Sequence, residues 1–135
     1  MARIAVIEKE EGVRGFIANY LGSQGHEVYT PATPQAFEHA MGLGFDPQIV
    51  VMGNRFGNAP TDEESGFRYL MGVLGDREEA ARAKYVLMSG DLHIESPESV
   101  KELLDAGGHY VEKPLHLEDF RRLIKELSEE ATGSE

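Results

Sequence analysis

Strand-like and helix-like segments alternate along this chain, and no other feature narrows its fold as much. Residues 3–7, 26–30, 48–52, 84–88 and 109–111 are short, mostly apolar runs bounded by turn residues, and each reads as a strand. Between them lie stretches with helical spacing. Val13, Phe16, Ile17, Tyr20 and Leu21 share one face, and Gly22 and Gly25 stop that helix. Thr33-Pro34 is an N-cap followed by proline at the first helical position, and this helix carries Phe37, Ala40 and Met41 to Gly42 and Gly44.

Residues 53–62 lack periodicity and are rich in Gly, Asn and Pro, so they form a loop. A third helix follows through Phe67, Leu70, Met71 and Leu74, and 75–83 supply an extra turn or short helix. Ser96-Pro97 opens a fourth helix with Val100, Leu103 and Leu104 inward, closed by Gly107-Gly108. The fifth helix carries Leu117, Phe120, Leu123, Ile124 and Leu127. Such alternation demands a parallel sheet with helices on both faces. Right-handed crossovers restrict the choice to a few doubly wound topologies. One domain over 1–128 is expected, with 129–135 as a frayed tail.

Composition excludes several functions. The chain has 135 residues, 41% of them hydrophobic, which suits one well-filled core. It contains no cysteine, so disulfides, thiolate metal sites and cysteine catalysis are out. The balance of 24 acids against 13 bases gives a net charge of −11, which repels nucleic acid and anionic membranes. Arg121, Arg122 and Lys125 read as the solvated face of the last helix. No apolar stretch is long enough to span a bilayer and no signal-peptide pattern is present, so a cytoplasmic protein is expected. The histidines (His26, His39, His93, His109 and His116) lack metal-binding spacing.

The residues that end each strand are more specific. An acidic stretch follows the first, Gly53-Asn54 the third, Ser89-Gly90 the fourth and Glu112-Lys113-Pro114 the fifth. With "YVLMSG" (85–90) and "LLDAGGHYVEKPL" (103–115), this resembles the receiver domain of two-component response regulators over nearly the whole chain. The resemblance implies a flavodoxin-like, five-stranded sheet in the order 2-1-3-4-5. It also implies a site in which an aspartate after strand three accepts a phosphoryl group. Two acids after strand one hold Mg²⁺, and a Ser or Thr and a Lys bind the phosphoryl oxygens.

Residue by residue, the resemblance places Gly53 at the acceptor position, with Asn54 beside it. It places Glu8 and Lys9 at the acidic pair, so a cation stands where a metal ligand belongs. Ser89 and Lys113 remain, and Tyr110 occupies the switch-aromatic position. Each has a plainer reading: Lys113 as an ion-pair partner of Glu8, Ser89 as a loop cap, Tyr110 as a half-buried aromatic. The 53–66 segment is longer than the family's loop, and 107–113 is shorter than its counterpart.

The expected function is that of a pseudo-receiver: a phosphorylation-independent, non-enzymatic signalling or adaptor domain. It has no catalytic residue, metal or cofactor. It works through protein partners or a homodimer, using the face of the fourth helix, fifth strand and fifth helix. Two alternatives are a receiver phosphorylated at another residue such as Asp62, which otherwise caps the next helix, and a small-anion or metabolite sensor using the emptied pocket.

Overall fold

The 48–52 run is apolar at nearly every position because its strand lies mid-sheet and is buried on both faces. In the computed structural model, which describes residues 2–53, 66–89, 97–112 and 116–132, the strands are β1 (Arg3–Ile7), β2 (Glu27–Tyr29), β3 (Ile49–Gly53), β4 (Lys84–Ser89) and β5 (His109–Glu112). They form one all-parallel sheet in the order β2-β1-β3-β4-β5. The helices are α1 (Glu11–Ser23), α2 (Pro34–Gly42), α3 (Gly66–Leu74), α4 (Arg77–Arg82), α5 (Pro97–Asp105) and α6 (Leu117–Thr132). The doubly wound, flavodoxin-like architecture expected from the sequence is thus present.

Strand side chains alternate between the two faces, and this splits the core in two. Ile4, Val6, Ile49, Val51, Val86 and Met88 pack with Ile17 and Leu21 of α1 and Phe120, Ile124 and Leu127 of α6. Ala5, Ile7, Val50, Met52, Tyr85 and Leu87 pack with Phe37 of α2, Leu70 of α3 and Leu103 of α5. Burying each large side chain contributes about 1.5–3 kcal/mol before entropy is counted.

Local signals fix the junctions. The Thr33 hydroxyl accepts the Ala36 N–H at 3.1 Å, as its N-cap reading requires. The 75–83 segment forms α4, capped by the Asp76 carboxylate on the N–H groups of Glu78 and Glu79. The fourth and fifth helices of the sequence reading are therefore α5 and α6. Gly107 turns the chain out of α5 with φ +98°, a conformation that suits glycine.

Three helix-face assignments are corrected. Phe16 is 54% exposed, Leu104 51% and Leu117 37%. The stripe on α1 centres on Ile17 and Leu21, which leaves Phe16 at its edge, because one position is about 100° of rotation. On α5, the fully buried Leu103 likewise turns its neighbour Leu104 outward. Leu117 lies in the first turn of α6, ahead of the buried Phe120. α6 also continues past residue 128 to Thr132, and Ser128 is buried.

At the sheet edge, His26 Nδ1 accepts the Ala2 N–H at 3.1 Å, and the Glu27 N–H donates to the Ala2 carbonyl at 3.0 Å. Burial first, and the positive chain terminus second, lower the imidazole's pKa from its ordinary 6.5. The folded state therefore favours neutral His26. Its contribution is complete above the unfolded value and is lost as pH falls through the folded one. Urea unfolding at about pH 7.5 and about pH 5.5 should show the native chain losing more stability on acidification than His26→Gln does. Equal losses in both proteins would remove His26 from the account.

Candidate functional site

Parallel strands bring their carboxyl ends to one edge of the sheet, where open α/β folds place their sites. Here the register pairs Ile7 with Met52, Gly53 with Met88, and Ser89 with Glu112. Residues 8, 53 and 89 therefore gather at one end of the sheet, although they are distant in the chain.

Glu8 follows β1 and is only 3% exposed. Its carboxylate lies over Gly53. A Cβ at position 53 would overlap Glu8 Oε2 and lie 3.0 Å from Glu8 Cδ and 3.4 Å from Oε1. The absent side chain of Gly53 is what leaves room for Glu8. Glu8 Oε1 also accepts the Glu10 N–H at 3.3 Å, just ahead of α1, where the helix dipole favours a negative group. Arg14 Nη1 donates to the Glu8 carbonyl at 2.8 Å and fixes the backbone from which the side chain reaches.

Lys9, next in sequence, is exposed. Ser89 is 3% exposed at the end of β4. The Tyr110 hydroxyl donates to the Ser89 carbonyl at 3.2 Å, and its ring packs beside the core that includes Leu87 and Leu103. The structure thus brings Glu8 onto Gly53 and Tyr110 onto Ser89. Asn54, Asp62 and Lys113 lie outside the described residues.

Sequence reasoning missed the approach of Glu8 to Gly53. One available signal was a glycine at the end of an otherwise bulky buried strand, which often marks close approach by another group. Arg14 was also missed, because nothing local marks its guanidinium as the anchor of residue 8.

Mg²⁺, which the receiver resemblance implies, does not fit this arrangement. Of positions 8, 9 and 53, only Glu8 carries a carboxylate, and that group is turned onto Gly53 and the Glu10 N–H. Mg²⁺ requires near-octahedral oxygen ligation, and a lysine at position 9 adds charge of the wrong sign. Among the described residues, no group of three or more His, Asp or Glu side chains is placed to hold a metal ion. Nor, among them, is any helix long and apolar enough to cross a membrane.

Solved structures agree with the strand order. The receiver domain of NtrC4, solved as a beryllofluoride-activated dimer, superimposes with a TM-score of 0.77 at 21% identity, covering 96% of this chain and 98% of that one. The fold is that of a response-regulator receiver domain. A two-component response regulator from Clostridium difficile gives a TM-score of 0.74 at 16% identity, over 94% of this chain and 95% of that one. NtrX from Brucella abortus, in complex with ATP, gives 0.77 at 19% identity over 98% of this chain, which spans only 28% of that longer protein. No family model matches the sequence, and no curated protein matches it. At such low identity the likeness establishes the receiver fold, while the chemistry rests on this chain's own residues.

The bond from Tyr110 to Ser89 joins the site to β5. Tyr110→Phe should keep the ring packing and lose about 1 kcal/mol. A lower urea midpoint with an unchanged slope is the expected result.

Proposed function

We propose that this chain is a pseudo-receiver: a signalling or adaptor domain that works through protein contacts without being phosphorylated. The observation that carries this reading is Gly53 at the end of β3 with the Glu8 carboxylate above it. Glu8, Lys9, Gly53, Asn54, Ser89 and Lys113 then make up a degenerate phosphoacceptor pocket, with Tyr110 at the switch position. Phosphoryl transfer to a carboxylate needs a nucleophile and cations to screen the incoming charge. The pocket has no nucleophile at position 53, and the Glu8 side chain occupies the space that an acceptor's Cβ would take.

The partner surface in this reading is the face made by α5, β5 and α6. It carries exposed Leu104 and Leu117 and half-buried Tyr110. Apolar and aromatic groups favour interface cores. The acidic balance supports protein partners over nucleic acid or membrane, in a cytoplasmic setting, and no cofactor is invoked.

Two outcomes test this reading. After incubation with acetyl phosphate and Mg²⁺, mass spectrometry should show no phosphoryl adduct on the native chain. An adduct at any residue, Asp62 included, would overturn phosphorylation independence. Leu104→Asp should weaken partner binding or self-association about tenfold or more, an effect of about 1.4 kcal/mol. It should leave the urea midpoint nearly unchanged, because Leu104 is exposed. Tyr110→Ala separates the two effects less well, since Tyr110 also packs against the core.

A further inference from the structure

We propose that the pocket at the strand ends is filled from within. Glu8 acts as its resident anion, and positions 8 and 53 form one coupled unit that sets the pocket's state. This rests on reading the site as a receiver pocket and adds how that pocket is regulated. A carboxylate from the neighbouring strand end takes the space that a Cβ at position 53 would fill. Glu8 is buried at 3% exposure, its backbone carbonyl accepts from Arg14 Nη1, and its Oε1 accepts the Glu10 N–H.

Three consequences follow from this geometry. An oxyanion entering above Gly53 meets volume already occupied by the Glu8 side chain. Any residue other than glycine at position 53 drives its Cβ into Glu8 Oε2. Because the clash is with the tip of a flexible side chain, Glu8 swings out while β3, paired on both sides, stays in place. Positions 8 and 53 are thus complementary, a glycine and the acid that covers it.

The experiment is a double-mutant cycle on the whole chain, comparing native, Gly53→Ala, Glu8→Ala and the double variant. Melting temperature and the backbone amide resonances are read for each. Gly53→Ala should lower the melting temperature by about 4 °C or more in the native background and by less than about half of that with Glu8→Ala. It should also move the Glu10 amide resonance, whose hydrogen bond to Glu8 is lost, but only while Glu8 is present. Equal penalties in the two backgrounds, or an unmoved Glu10 amide, would overturn the coupling. If Gly53→Ala alone does not fold, rescue by Glu8→Ala supports the proposal. Glu8→Ala by itself leaves β3 in place but removes the carboxylate that covers Gly53, so the Gly53 amide resonance should shift, and an unmoved one overturns the proposal as well. A phosphoryl adduct on the native chain would sink the pseudo-receiver reading without touching this coupling. An additive cycle would sink the coupling and leave that reading standing.

Discussion

The burial of β3 on both faces is the constraint on which the rest of the structure depends. A strand between two parallel neighbours must have its backbone groups paired on each side and its side chains covered above and below. Ile49, Val50, Val51 and Met52 meet that demand with no exposed surface. β1 and β4 supply the ladders, α1 and α6 cover one face, and α2, α3 and α5 cover the other. Every crossover must return to the same starting edge to keep the strands parallel. Whatever follows each strand therefore gathers at the opposite edge, and the candidate site is a consequence of how the core is built.

That edge has its own charge arrangement. A carboxylate lies beside the end of β3, arriving from the end of β1; it accepts the Glu10 N–H, and the Arg14 guanidinium donates to the backbone carbonyl of the same residue. Burying a carboxylate is costly unless hydrogen bonds or charges offset the lost water, and the turn into α1 provides part of that offset. The exposure of Lys9 beside buried Glu8 follows from the same turn, which directs consecutive residues to different sides.

Tyr110 connects this edge to the α5–β5–α6 face. Its ring packs with the core on the side of Leu87 and Leu103, and its hydroxyl reaches the last residue of β4. One residue thus takes part in both core packing and the site's border. That is why it is a poor probe of binding alone. Leu104 is more useful there, because Leu103 takes the inward position on α5 and turns Leu104 outward.

The sequence by itself determined the elements, their order and the sheet. Apolar runs bounded by turn residues, helical spacing, the Thr33 cap and the glycine stops are local signals, and local physics reads them directly. The residues ending each strand also carried the resemblance to a receiver, which sets Gly53, without a side chain, at the position of interest. Tertiary structure decided which residues at the margins of a helical stripe turn outward, as at Phe16, Leu104 and Leu117, because an edge position is settled by what packs against it. It also decided that Glu8 covers Gly53. Glu8 and Gly53 are far apart in the chain and meet only when β1 and β3 align in register. No periodicity or spacing encodes the reach of one side chain across two strand ends, so the contact that defines this site exists only in the folded molecule.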